Sequence, residues 1–311
     1  MELLSFVIPC YRSEKTIEKV INEIISVVGE RADYDYEIIA VNDCSPDNVY
    51  EVLKSCALQN SQIKIINLAR NVGKHAAVMA GYAFVNGEYI INLDDDFQCP
   101  VYELWNLLAP LLRNEADIAT AEYIIKKESV WKRFGSNVNL WFSERMLDKP
   151  KGIRLENFSI MKRFVCEEVK NYKNPYPYLE GLLMGVSKQI VAVPMENRKR
   201  ADDNISGFTM IKSISLFVNG LTTFSTKPLR IASVIGFLFA VIGFVYGVVI
   251  VIQKLVNPDV LVGYSSIMAV IIFSSGIMMM ILGMIGEYVG RIYISLNNSP
   301  PQYVIKETIN I

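Results

Sequence analysis

The sequence predicts an α/β protein. A mostly parallel sheet with helices on both faces is followed by an amphipathic helix and a two-helix transmembrane hairpin. Three observations carry this prediction. Short apolar runs of strand length alternate with amphipathic helical segments from the first residues onward. Polar and acidic residues recur just past those runs, at Asp43 and at Asp94–Asp96. Two uncharged stretches, 231–252 and 263–286, are each long enough to cross roughly 30 Å of hydrocarbon at about 1.5 Å per residue.

Composition agrees with a mixed architecture. The chain has 311 residues, 51% of them hydrophobic and 20% charged, too apolar for an ordinary soluble protein and too charged for one wholly in lipid. A net charge of −1 gives no electrostatic case for nucleic acid. The five cysteines are odd in number and form no CxxC pair, which fits reduced thiols rather than a disulfide frame. The chain runs straight into a strand, so no signal peptide is expected.

In order, Leu3–Pro9 is a strand, and Glu14–Val28 a helix with Ile17, Val20, Ile21, Ile24 and Ile25 on one face and Ser13 as N-cap. Glu37–Val41 is a second strand, Pro46–Gln59 a helix, Ile63–Leu68 a third strand and His75–Val85 a helix. Tyr89–Leu93 is a fourth strand, buried on both faces. This alternation implies βαβ units, and ligands in such sheets bind beyond the carboxyl ends of the strands. Val101–Arg113 continues as a helix and Asp117–Tyr123 as a strand; Asn157–Met161 is a candidate strand. Asn174–Tyr178 is a loop because its two prolines break any ladder or helix. Leu182–Val186 and Ile190–Val193 are apolar segments ahead of the polar run Glu196–Asn204, a candidate closing loop over an anionic ligand.

The stretch YIINLDDDFQCP, Tyr89–Pro100, concentrates the chemistry. A buried strand ending in three carboxylates is costly unless a cation compensates them, and a hard divalent ion prefers oxygen ligands. In extended chain Asp94 and Asp96 face one side with Gln98, and Asp95 faces away. Taken alone, a triple Asp is better explained by an acidic turn; the surrounding sequence reverses that preference. The basic cluster Lys126, Lys127, Lys132 and Arg133 is either a solvated helix face or a phosphate contact. Phe208, Ile211, Ile214, Val218 and Leu221 follow helical spacing and suit an interface helix or a core helix equally. Lys227 and Arg230 before the first span and Arg291 after the second favour both hairpin ends on the cytoplasmic side. The absence of GxGxxG and of a Walker loop disfavours a Rossmann dehydrogenase and a P-loop NTPase.

Six motifs in order then resemble the membrane-anchored, polyprenyl-phosphate branch of glycosyltransferase family 2. They are FVIPCY at Phe6–Tyr11, VNDCSPDN at Val41–Asn48, NVGKHAAVMAG at Asn71–Gly81, LDDDFQCP at Leu93–Pro100, SGFT at Ser206–Thr209 and GEYVGRIY at Gly286–Tyr293. The resemblance spans nearly the whole chain. It departs from the family pattern at Arg12-Ser13, Asn42, Tyr123 and Gly207.

The resemblance implies a GT-A fold, a nucleotide-sugar donor, Mg²⁺ or Mn²⁺, and a polyprenyl-phosphate acceptor such as undecaprenyl phosphate. By position, Pro9, Tyr11, Asp43, Asn71, Asp94, Asp95 and Arg200 would hold the nucleotide. Asp94, Asp96 and Gln98 would surround the metal, with Asp94 and Asp96 the catalytic carboxylates. Lys132, Arg133 and Ser136 match acceptor-phosphate contacts. His75, the one histidine, is a positional or core residue, a donor contact being the lesser alternative. The expected organisation is a cytoplasmic catalytic domain over 1–204, an amphipathic helix over 205–229, a transmembrane hairpin over 230–293 and a cytoplasmic tail over 294–311. The resemblance makes the chain an inverting transferase of the bacterial inner membrane, with UDP favoured over GDP and a homotetramer as candidate assembly. Two alternatives stay open at this point: a transferase acting on a lipid-linked or polymer sugar, and a non-catalytic membrane scaffold retaining the fold.

Overall fold

Strands that are buried on both faces need apolar residues at consecutive positions, and the first strand supplies them. The computed structural model describes residues 1–123, 155–175, 177–196, 198, 263–297 and 301–311, with a few positions between 234 and 256. Within β1 (Glu2–Cys10), Leu4, Phe6 and Ile8 pack into one core cluster and Val7 into another. The same split occurs in β2 (Tyr34–Asn42), where Ile38 and Ala40 face one way and Ile39 and Val41 the other. The period of two sends alternate side chains to opposite faces.

The remaining strands are β3 (Ile63–Leu68), β4 (Tyr89–Asn92), β5 (Ile118–Tyr123), β6 (Ser159–Lys162), β7 (Ile190–Met195) and β8 (Ile305–Ile309). They form one eight-stranded sheet in the order β7-β5-β6-β4-β1-β2-β3-β8. The pairs β1–β2, β1–β4, β2–β3 and β5–β7 are parallel; β6 is antiparallel to β4 and β5, and β8 to β3. One face is covered by α1 (Ile17–Gly29), α2 (Val49–Gln59) and α4 (Leu104–Leu112). The other is covered by α3 (Lys74–Tyr82), α5 (Arg163–Val169) and α6 (Leu179–Val186). Helix α3 lies close on the sheet: a Cβ at Gly81 would sit 2.5 Å from Val7 Cγ1. That approach needs a residue without a side chain.

Two helices start later than their sequence pattern suggests, for local reasons. The Ser13 carbonyl accepts from the N–H groups of both Thr16 and Ile17 (3.0 Å each), so α1 begins at Ile17 with Thr16 as N-cap in place of Ser13. Asp47 accepts from the Glu14 N–H (3.0 Å) and the Ser45 hydroxyl (2.5 Å), while Glu14 accepts from the Asn48 N–H (3.1 Å). This reciprocal pair ties the turns after β1 and β2 together and delays α2 to Val49. The apolar segment at Leu182–Val186 is the end of α6.

The C-terminal residues form no separate tail. The chain divides into two compact units, Met1–Phe208 with Asn297–Ile311, and Thr209–Leu296. Strand β8 pairs with β3, and Asn310 Nδ2 donates to the carbonyls of Ala57 (3.0 Å) and Ile63 (2.9 Å). Ala69 N–H donates to Val304 O (2.8 Å), and the Arg70 guanidinium to Pro301 O (2.8 Å). In the second unit, α7 (Tyr264–Asn297) contains the stretch Phe273–Gly290, long and apolar enough to cross a membrane. Its Phe273, Met279 and Leu282 are exposed. Described positions between 234 and 256 are helical. The basic cluster near 126–145 and the expected interface helix over 205–229 lie outside the described residues.

At the amino-terminal end of the sheet, Glu37 is 4% exposed and carries a full set of partners. It accepts from Lys64 Nζ (2.6 Å), Ser5 Oγ (2.5 Å) and both nitrogens of Asn86 (2.5 and 3.1 Å). Burial pushes its carboxyl up, but the bonds from Lys64, Ser5 and Asn86 outweigh burial and hold it below the ordinary value. A carboxyl lowered on folding stabilises the fold above its ordinary titration range, and that contribution fades as pH falls through the lowered value. Glu37→Ala, which leaves Lys64 and three other donors uncompensated, is expected to cost about 2–3 kcal/mol near neutral pH. Thermal melting in detergent checks this, and an unchanged midpoint would show the cluster to be energetically idle. Deleting residues 301–311 uncovers the β3 edge, with a lower melting midpoint and concentration-dependent aggregation expected on size-exclusion chromatography. A deletion that stays monodisperse at the native midpoint would show that β8 adds nothing.

Candidate active site

The four adjacent parallel strands β4, β1, β2 and β3 end on one side of the sheet, and each leaves it through a left-handed residue. These are Phe97 (φ 61°), Arg12 (φ 59°), Cys44 (φ 49°) and Gly73 (φ 86°). Only one of the four is glycine. Left-handed backbone at the other three costs of order 1 kcal/mol each and persists only where the surroundings enforce it.

The enforcing contacts converge on Asp43 and Asp95. Asp43, 3% exposed, accepts from the N–H groups of Val72 (2.7 Å) and Gly73 (2.9 Å), and Asn71 Nδ2 donates to the Asp43 carbonyl (3.2 Å). The loop after β3 is thereby locked to the loop after β2. Burial raises the Asp43 carboxyl above its ordinary value, and the two N–H groups restrain the rise. Asp95 accepts from the Tyr11 N–H (2.8 Å), and its own carbonyl accepts from the Thr16 hydroxyl (2.6 Å). The loop after β4 is so tied to the end of β1 and the start of α1. Burial pushes the Asp95 carboxyl up to about 6, against the bond from the Tyr11 N–H, with Asp94 and Asp96 adding to the rise.

The three consecutive carboxylates thus have three different sets of partners. Asp94 is ion-paired with Lys74 at the first position of α3 and accepts from Asn157 Nδ2 (2.5 Å). Asp96 accepts from the backbone N–H (3.1 Å) and side-chain amide (2.6 Å) of Gln98. Asp95 turns toward β1, as alternation predicts. Among the described residues, no group of three or more His, Cys, Asp or Glu side chains forms a ready-made metal cage.

The other expected residues fall around this centre. Pro9, in register with Val41, lines a small cavity together with Asp94. The Tyr11 side chain is exposed at the rim. Tyr123 is half-buried and turns its hydroxyl to Cys99 Sγ (3.9 Å). Lys132, Arg133, Ser136 and Arg200 lie outside the described residues.

Three residues with no assigned role in the sequence take part. Lys74 and Asn157 hold Asp94 from elements 20 and 63 residues away in sequence. Arg198 caps the loop: its guanidinium makes a two-pronged pair with Glu23 (2.7 and 2.5 Å) and lies over the rings of Phe97 (4.6 Å) and Tyr102 (5.0 Å). Its backbone N–H also reaches Gln98 O (3.4 Å). Its place in the polar run Glu196–Asn204 marked it only as one of several charges.

Comparison with known proteins bears on this geometry. The model of "Glycosyl transferase family 2" matches residues 5–169, and that of "GtrB C-terminal hairpin" matches residues 227–292. The glycosyltransferase YkcC of Bacillus subtilis is 30% identical over 99% of this chain and 94% of its own. The SfII prophage-derived bactoprenol glucosyl transferase of Shigella flexneri is 30% identical over 98% of each chain. Among solved structures, mannosyl-3-phosphoglycerate synthase from Rubrobacter xylanophilus superposes with a TM-score of 0.52 at 17% identity, covering 74% of each chain. The sheet is of the GT-A type, and the chain belongs to glycosyltransferase family 2.

Proposed function

We propose that this chain moves a glycosyl group from a UDP-sugar to a polyprenyl phosphate at the cytoplasmic face of a bacterial membrane, with inversion at C1. The observation that carries this reading is the acidic loop Asp94–Gln98 at the carboxyl ends of the strands, in a chain that continues into a long apolar helix. Relatives named bactoprenol glucosyl transferase that match over 98% of both chains support the acceptor class.

The donor set fits a divalent cation in kind. Asp94, Asp96 and Gln98 offer hard oxygens, and the Lys74 ammonium against Asp94 shows a positive charge already drawn there. Mg²⁺ is commonly held by one or two carboxylates plus substrate phosphates, so a complete protein cage is not required. Bound there, the ion would neutralise the diphosphate leaving group. The chain's own contribution is placement. Asp95 fixes the acidic loop on β1, Asp43 fixes the loop carrying Lys74, and Arg198 holds the following segment over Phe97.

In the displacement, an acceptor phosphate oxygen bonds to C1 while the bond from C1 to the diphosphate oxygen breaks and its electron pair leaves with the diphosphate. The acceptor is already ionised near neutral pH, so no side chain needs to remove a proton. A polyprenyl phosphate cannot leave the bilayer and a nucleotide-sugar cannot enter it. A catalytic unit continuous in chain with an apolar hairpin reconciles the two and raises the effective concentration of acceptor.

The test supplies purified protein with undecaprenyl phosphate, Mg²⁺ or Mn²⁺, and a panel of labelled UDP- and GDP-sugars, following label into the organic phase. Transfer from one donor, abolished by EDTA, is expected. Asp94→Asn and Asp96→Asn should each lower kcat about 10²-fold or more. Full activity in either variant, or EDTA-resistant transfer, would refute the metal assignment; nucleotide binding without transfer to any lipid phosphate would refute the acceptor.

A further inference from the structure

Beyond the acidic loop a recess runs inward between the first turns of α3 and α6. His75, the second residue of α3, lines one part of it, and Glu180, the second residue of α6, another. Asp94 and Asn157 also line it, with Val78 and Leu183 among its apolar walls. His75 Nδ1 and Glu180 Oε2 are both buried, and neither has a hydrogen-bond partner among the described residues.

Buried polar atoms in native proteins are almost always satisfied, and exceptions call for an occupant. Packing holds both groups in place. The Tyr178 ring meets His75 edge-on at 5.9 Å. Burial lowers the affinity of His75 for a proton, an effect that Glu180 opposes and Lys74 reinforces. The imidazole is therefore neutral near pH 7, able to give or take one hydrogen bond at Nδ1. The carboxylate offers an acceptor. A hydroxyl group, donor and acceptor at once, has the chemistry that both atoms call for.

Size narrows the occupant further. The recess has a volume of about 30 Å³. A single water-sized group needs roughly 10–15 Å³ on this measure, so about two heavy atoms fit. A sugar ring is too large, but one exocyclic hydroxyl or hydroxymethyl group is not. The ring itself would remain at the mouth, beside Asp94 and Asn157, which adjoin the diphosphate side of the proposed site.

We infer that this recess receives one exocyclic hydroxyl-bearing group of the transferred sugar, and that His75 and Glu180 determine which sugar is accepted. The inference rests on the proposed reading of the chain as a nucleotide-sugar transferase. It places sugar discrimination on two first helical turns rather than on the acidic loop, which would bind any donor through its diphosphate. A bulkier substituent, such as an acetamido group, does not fit the recess and would have to point elsewhere.

The test measures binding by calorimetry on the full chain in detergent with Mn²⁺. The probes are UDP, UDP-glucose, UDP-galactose and UDP-N-acetylglucosamine. The wild type should bind one of the sugars at least about tenfold more tightly than UDP alone. Glu180→Gln and His75→Ala should lose that increment, with UDP affinity and melting midpoint unchanged. A 6-deoxy or other deoxy form of the preferred donor should lose the increment in the wild type and nothing further in the variants. Variants that keep the increment, or a wild type that binds every sugar no better than UDP, would overturn the inference and leave the transferase reading standing. A wild type that binds neither UDP nor any UDP-sugar would remove both.

Discussion

Three carboxylates in a row repel one another, and the site depends on giving each a different partner. Asp94 takes the Lys74 ammonium, Asp95 takes the Tyr11 N–H, and Asp96 takes Gln98. This division converts an electrostatic liability into a set of struts. Each partner belongs to a different place in the fold: the start of α3, the end of β1, and the loop itself. The middle carboxylate is the structural one. Burial raises its proton affinity, and the Tyr11 N–H opposes that rise.

The strained strand exits follow from the same constraint. The backbone after β1, β2 and β4 must reverse sharply enough to bring Tyr11, Asp43 and the acidic loop together. Arg12, Cys44 and Phe97 accept left-handed conformations to do so. Such strain is tolerable because the loops are cross-braced by Asp43, by Asp95 and by the Glu14–Asp47 exchange. Rigidity at this end of the sheet is what a site for a flexible, highly charged donor needs, since ordering the loops on binding would consume part of the interaction energy.

Much of the first half of the fold was legible in the sequence. Doubly buried parallel strands write themselves as apolar runs, and β1, β3 and β4 appear at nearly their full length, while of β2 only the apolar second half, Glu37–Val41, is legible. Alternation correctly sent Asp95 away from its neighbours. Beyond Asp96 the extended pattern ends, because the loop turns at Phe97 (φ 61°). Helix starts were displaced because the Ser13 carbonyl closes a turn ahead of α1 and Asp47 braces the turns after β1 and β2. Lys74, Asn157, Glu180 and Arg198 were invisible as site residues for a simpler reason. Lys74, Asn157 and Arg198 reach their partners, and Glu180 its place in the recess, through the topology of the fold, and no local pattern records that. Strand β8 was missed because IKETI is short, charged and at an edge, where neither apolar alternation nor length gives a signal.

The position of β8 has a consequence for biosynthesis. Ile309 pairs with Ile65, so the outer edge of the sheet is completed by a segment made 244 residues later (309 − 65). The long apolar helix lies in between and is translated first. The amino-terminal unit therefore emerges with β3 open, a bare row of hydrogen-bonding groups of the kind that recruits stray strands. Its last strand arrives only after the apolar segment has left the ribosome. Completion of the sheet thus waits on synthesis of the whole apolar segment, and a chain stalled short of that point would carry an open edge prone to association.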